Sequence, residues 1–332
     1  PTIAAQSYAS HRLSLRASWG TSFQAPSVFQ TAGNTSSRTL TDPFRFDRGG
    51  VGRCTVDATG SIVDRGDNFN VATMLRGGGL SPQTARSANF GVLLKPLENA
   101  AVSVDYWTLD YRDVIAQGRS FQAIVDDDCR DDGRPNDGRV LRDTSGQLSV
   151  VTTDYDNVAA VRTRGMDLNA YYDLALSLGD IRISADATLL TRFDVDAGGD
   201  GYVDRLGSRN DTNGFAPTPQ LRFNLGVAWS RGRHAAGLTA RYVDSYENDE
   251  VATRPEIASW TMLDANYSYE KENLFGGETT LYLGVRNLAD RNPPPLPSGR
   301  EGVHRHNLRP GFDGFVHDIK GRAIYVRFRY RR

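Results

Sequence analysis

Gly321-Arg-Ala-Ile-Tyr-Val-Arg-Phe-Arg-Tyr-Arg-Arg332 closes the chain, and its reading decides the fold. With period two, Ile324, Val326, Phe328 and Tyr330 share one face, while Tyr325, Arg327, Arg329 and Arg331 share the other. Successive side chains of a strand point to opposite faces, so this is a two-faced strand. A soluble sandwich buries the first face and wets the second. A transmembrane barrel puts the first face in lipid and the second in a polar lumen.

The pattern recurs. Ile181, Ile183, Ala185, Ala187 and Leu189 oppose Arg182, Ser184, Asp186 and Thr188. Leu221, Phe223, Leu225, Val227 and Trp229 oppose Arg222, Asn224, Gly226, Ala228 and Ser230, and Leu281, Leu283 and Val285 oppose Tyr282, Gly284 and Arg286. Mid-strand arginine and aspartate would cost several kcal/mol against lipid, so those faces meet water or one another. Ten strands are predicted, at 12–23, 87–95, 101–112, 161–174, 180–193, 219–230, 236–246, 259–270, 278–289 and 321–332.

The connections carry the second signal. Long ones at 24–86, 113–160, 194–218, 247–258 and 290–320 alternate strictly with short ones near 96–100, 175–179, 231–235 and 271–277. One rim then has tight turns and the other large loops, the asymmetry of outer-membrane barrels. A sandwich has no reason to sort loop length by parity. The fold class expected is therefore all-β, an antiparallel transmembrane β-barrel wall. A short helix is expected near 121–126.

Composition agrees. Of 332 residues only 39% are hydrophobic, and the 33 glycines suit a barrel with a polar inner wall and long loops. A net charge of −1 provides no overall field for nucleic acid. No run of about 20 apolar residues exists, which excludes helical membrane spans, but a strand crosses with about 9–11 residues, half of them apolar. Trp19, Phe23, Trp107, Tyr172, Phe193, Trp229, Tyr242, Trp260 and Tyr269 are candidates for the interfacial aromatic belts. Tyr246 and Phe215 are candidates to face the outer loops and stack on substrate.

Three stretches carry a resemblance. Arg16 to Gln30 reads R-A-S-W-G-T-S-F-Q-A-P-S-V-F-Q. It resembles the strand of TonB-dependent outer-membrane receptors that ends in a G-x-x-F-R-A-P-S corner, with Gln24 where arginine is usual. Gly284-Val-Arg-Asn-Leu-Ala-Asp-Arg-Asn-Pro-Pro294 is similar to that family's N-L-F-D strand end, and 321–332 to its closing strand, here with two arginines after Tyr330. The resemblance implies a barrel of about twenty-two strands with a plugged lumen. It also implies energised uptake of a scarce nutrient such as a siderophore, cobalamin or an oligosaccharide, with TonB acting through the plug, in the bacterial outer membrane. Residues 1–332 would then be the C-terminal part of the barrel, with the plug and earlier strands supplied from outside this chain, since Pro1 opens it mid-pattern. A passive porin remains the nearest alternative, and a soluble all-β binding module a further one.

Residue readings follow. Phe23, Pro26, Asn287, Asp290, Pro293, Phe328 and Tyr330 are expected to be structural: Pro26 removes a donor where its strand leaves the sheet, Asn287 and Asp290 turn the chain through local bonds, and Pro293 keeps the loop from pairing. Arg182, Arg222, Arg286 and Arg327 line the lumen, where each can bind a carboxylate or phosphate, or pair with Asp105, Asp186 or Asp264. His304, His306 and His317 share one loop with Arg300 and Arg309, which fits contact with a metal chelate, contact with an anionic ligand, or plain solvation. The carboxylates of 194–204 fall near calcium-loop spacing without the EF-hand order. Cys54 and Cys129 are expected to form a disulfide between neighbouring outer loops. No catalytic motif, cofactor-binding motif or metal set stands out, so no enzyme activity and no cofactor are expected.

Overall fold

The wall of the molecule is one antiparallel sheet in which each strand pairs with the next along the chain. The computed structural model describes residues 2–46, 52–54, 67–118, 120–128, 137–196, 201–210, 215–249, 253–274, 276–297 and 311–331. The wall strands are β1 (Thr2–Ser10), β2 (Leu13–Gln24), β3 (Gln83–Leu97), β4 (Ala100–Gln117), β5 (Leu148–Leu176) and β6 (Gly179–Asp196). They continue as β7 (Leu221–Arg231), β8 (His234–Val243), β9 (Trp260–Leu274), β10 (Gly277–Arg286) and β11 (Ala323–Arg331). Among the described residues β1 and β11 do not pair with each other, so the sheet is open.

The order is the expected meander, with one strand more than the ten expected. Thr2–Ser10 has no clean alternation of its own. Its pairing with β2 from Thr2↔Gly20 to Ser10↔Leu13 makes it a strand. Tight turns join β1–β2, β3–β4, β5–β6, β7–β8 and β9–β10, and long connections leave the opposite rim.

Register turns alternation into two continuous faces. Leu15, Val92, Val104, Leu168, Ala187, Phe223 and Tyr242 are successive partners across seven strands, forming one apolar row. One residue away, Arg16, Gly91, Asp105, Asp167, Thr188, Arg222, Val243 and Trp260 form a row of the polar face. On the last two strands Leu281↔Phe328, Leu283↔Val326 and Val285↔Ile324 continue the apolar side, and Tyr282↔Arg327 and Gly284↔Tyr325 the polar one. The apolar residues are largely exposed to the surroundings, with Ile324 at 74%, Val326 at 65% and Phe328 at 60%. A row of that length left uncovered is a surface built for lipid rather than a core.

Two glycines let polar side chains reach over a strand. A Cβ on Gly91 would lie 2.1 Å from the Asp105 carboxylate and 2.6 Å from the Arg16 guanidinium, which meet across it. A Cβ on Gly284 would lie 2.0 Å from the ring of Tyr325.

The aromatic belt needs correction at three positions. Trp19, Phe23, Tyr172, Trp229, Tyr242 and Tyr269 share the apolar face by register. Trp107, Phe193 and Trp260 fall on the opposite face, because pairing places them in phase with Gly165, Thr163 and Val243. Identity alone does not reveal phase next to a bulge such as the one at Arg164/Gly165.

Above the long-loop rim the chain builds a small module. β5 is 29 residues long, far beyond the expected 161–174. Its first part pairs in parallel with strand Asp67–Arg76, which in turn pairs with Asn34–Asp42. Helix α2 (Phe121–Asp128) lies where the short helix was expected, and Phe121, Ile124 and Val125 join Leu40, Val71, Val140, Leu148 and Val151 in a buried core. Beneath it Arg142 bridges Asp42 and Asp128, which retain 1% and 4% exposure, and lies 4.6 Å over the ring of Phe44.

The structural motifs are visible locally. After Pro26, Ser27 caps the five-residue helix α1 (Val28–Ala32): its hydroxyl accepts from Gln30 N at 3.2 Å, and its own N–H donates to Gln30 Oε1 at 2.9 Å. Asn287 and Asp290 both take positive φ, 52° each. Asn287 donates its backbone N–H to Asp264 and exchanges side-chain bonds with Arg291, while Asp290 accepts from Arg322 N at 2.7 Å. Pro293 lies in the non-strand segment that follows. Asp194 and Asp204 are cross-strand partners, and Asp194 pairs with Arg192. The rest of that acidic stretch includes 197–200, outside the described residues.

Candidate functional site

The polar face is the inner wall, because loop residues fold onto it: Trp260, at the end of the polar row, meets the ring of His317 edge-on at 5.3 Å. Many of its charges are matched between strands, adjacent or one apart. Arg16 pairs with Asp105, Arg241 with Asp264 at 2.5 Å, and Arg182 with Asp173 at 2.6 Å. The carboxylates Asp105 and Asp264 are thus taken by arginines other than the four candidates, and Arg182 takes an aspartate that the alternation did not single out.

The remaining candidates differ. Arg327 lies 6.0 Å over the ring of Tyr282. Arg222 and Arg286 make no ion pair among the described residues. Arg222 lines a cavity of about 510 Å³ with Asp167, Asp186, Arg241, Trp260 and Val316. A guanidinium beside two carboxylates and an indole can hold an anionic group and also accept donors from a hydroxylated one.

A strap, 311–318, reaches the edge of this cavity through Val316. Its anchor is a buried polar node. Tyr246 donates its hydroxyl to Asp313 Oδ2 at 2.8 Å and lies 3.3 Å from His317 Nε2, and Arg209 approaches Asp313 at 3.8 Å. Asn248 donates to Pro297 O at 2.7 Å, tying the 244–259 connection to the same loop. Burial and the Asp313 carboxylate push the Tyr246 phenol well above its ordinary range, so it stays a donor. Burial pushes the His317 imidazole down; Asp313 opposes this and Arg222 adds to it. His317 is 5% exposed, and among the described residues neither its Nδ1 nor Trp260 Nε1 has a hydrogen-bond partner.

Sequence reasoning named His317 as a ligand-facing loop residue, and the structure buries it in the node. It named Tyr246 as a stacking surface, yet Tyr246 is 2% exposed, and Phe215 meets Phe193 edge-on at 6.3 Å. Asp313 was missed. The node joins residues 67 and 71 apart in sequence, so no local pattern announces it. Arg300, His304, His306 and Arg309 lie outside the described residues, as do Cys129 and the side chain of Cys54. Phe23 and Phe328 sit on the apolar face, as does Tyr330.

Comparison with known proteins fits this architecture. The family model "TonB dependent receptor-like, beta-barrel" matches residues 6–288, and the chain belongs to that family. Barrels of this family are outer-membrane proteins of Gram-negative bacteria that act as receptors, and the family is not one of enzymes. Among solved structures, a variant of the ferric enterobactin receptor PfeA from Pseudomonas aeruginosa is similar at a TM-score of 0.62 and 14% identity, covering 99% of this chain and 39% of that one. The siderophore receptor PirA from Acinetobacter baumannii gives 0.60 and 14%, covering 99% and 40%. The copper transporter OprC gives 0.52 and 13%, covering 98% and 38%. At these identities the likeness concerns the fold, and the chain spans about two fifths of the length of these receptors. No curated protein matches in sequence.

Proposed function

We propose that this chain forms the C-terminal part of the barrel of a TonB-dependent receptor in the outer membrane. The plug and the remaining strands come from the rest of the receptor, and TonB acts through the plug. The receptor takes up an anionic iron chelate of the siderophore class. The observation that carries the reading is the inner wall by the strap: Arg222, which makes no ion pair among the described residues, lines a cavity of about 510 Å³, in a family of receptors whose solved relatives include siderophore receptors. A passive porin needs no strap anchored beside a lumenal cavity that presents both a guanidinium and carboxylates. Cobalamin and oligosaccharides would gain less from Arg222 and Arg286 than an anion does.

Equilibrium binding of labelled ferric chelates, cobalamin and oligosaccharides to the complete receptor tests the substrate class. Binding of an anionic ferric chelate, weakened about tenfold or more by Arg222→Gln, is expected for loss of one charge-assisted contact. Binding that survives both this change and deletion of 295–318 removes the strap and its cavity from the site. The mass of the intact membrane complex tests the division of the barrel: a homogeneous, uptake-competent species of only 36.5 kDa contradicts it.

A further inference from the structure

We infer that the outward face of β2–β6, at the long-loop rim, is a binding site for the phosphate-bearing headgroup of an anionic membrane lipid. This rests on the barrel reading above, which makes the apolar face the lipid face. The register shows how the site is made. Ala17, Phe90, Tyr106, Met166 and Leu189 form the last apolar row before the rim. The next row toward the loops is Trp19, Ala88, Thr108, Arg164 and Arg192, and the one after is Thr21, Arg86, Asp110, Arg162, Asp194 and Asp204. Five arginines, counting Arg112 beyond them, thus stand on the lipid side directly above an aromatic edge.

Among the described residues, carboxylates pair with two of the five. Asp110 is taken by Arg112 at 2.9 Å and Asp194 by Arg192, each on its own strand. Arg162 lies 3.8 Å over the ring of Tyr202. Arg86 and Arg164 are exposed, and neither guanidinium makes a hydrogen bond or ion pair among the described residues. They flank β4, two strand spacings across and two residues along, or about 12 Å apart. A cavity of about 640 Å³ opens between Phe23, Thr84, Arg86, Asp110 and Arg112, all on this outward face. Phe23, in its lining, is 77% exposed, and Trp19, one outward row closer to the apolar band than Thr21, is 46% exposed. Cations just beyond an apolar band, with aromatics at the boundary, match a lipid whose tails lie along the band and whose phosphates reach the guanidinium groups. The ligand is not the plug, because the patch faces away from the lumen.

The test uses the complete receptor in maltoside detergent, with lipid retention read by native mass spectrometry. Cardiolipin, with two phosphates, is compared with zwitterionic phosphatidylcholine, and inorganic phosphate serves as competitor. The wild type is expected to prefer cardiolipin, and the double variant Arg86→Gln with Arg164→Gln to lose about thirtyfold of that preference. Arg12→Gln, at the opposite rim, is expected to keep it. Arg86→Lys with Arg164→Lys is expected to retain most of it. Heat-modifiable mobility confirms that each variant is folded. Equal retention of cardiolipin by the wild type and the glutamine variant overturns the site, and displacement of cardiolipin by inorganic phosphate at equal concentration shows a free-anion site instead. A receptor that sediments with outer membranes yet shows no selectivity refutes this inference alone. One that never enters the membrane refutes the barrel reading beneath it.

Discussion

His317 is held neutral by its surroundings, and this gives the strap a pH dependence. Burial lowers its pKa from the ordinary 6.5, against the pull of Asp313 and with the push of Arg222. A released strap binds a proton below about pH 6.5, while the docked one resists it, so docking weakens as pH falls through that window, by up to about 1.4 kcal/mol per unit. At neutral pH and above, both states are unprotonated and the contribution is constant. The protection factors of the 311–318 amides, corrected for the intrinsic pH dependence of exchange, are therefore expected to fall below pH 6.5, and the His317→Gln variant to lose that slope. Unchanged protection factors across the window would show that His317 does not set the docking. Gly91 makes a second residue-scale case. Gly91→Ala places a methyl between Arg16 and Asp105 and is expected to cost about 1 kcal/mol, a charged hydrogen bond discounted because Arg16 is half exposed. A thermal melt in detergent reads it. Neither residue role was legible in the sequence. His317 carried only its residue type, and Gly91 sat inside an ordinary alternation, since both depend on partners dozens of residues away.

The elements divide by how local their cause is. β6, β7, β10 and β11 were legible because each alternates cleanly over its own length, and α2 because its apolar positions repeat at helical spacing. β1 was missed because its alternation is weak and its partner defines it. The first half of β5 was missed because a parallel pairing with Asp67–Arg76, set by tertiary contacts, extends it. That module is held by its core and by the Arg142 bridge. Arg142→Met leaves two carboxylates buried without their cation and is expected to destabilise the module by about 3 kcal/mol or more. Limited proteolysis is expected to cut the module near 140 and leave β6–β11 intact. If both degrade together, the module and the wall are one cooperative unit.

Across the whole molecule, loop length sorted by rim and a face that alternates on strand after strand made the barrel wall readable in advance. The lumenal cavity beside the strap was not, because its lining comes from five wall strands and the strap's anchors from three different connections. The central claim is that the two faces of the wall meet two different solvents. β11 offers the cleanest contrast, since neighbouring residues on one strand serve as each other's control. Spin labels introduced singly at Ile324→Cys, Val326→Cys and Phe328→Cys, and at Tyr325→Cys, Arg327→Cys and Arg329→Cys, are read in the complete receptor in outer membranes by their collisions with oxygen and with a water-soluble nickel chelate. The account predicts that the first three favour oxygen and the second three the nickel chelate, alternating residue by residue. Nickel access at both sets, or exclusion of both reagents from Ile324, Val326 and Phe328 as in a soluble core, would contradict it.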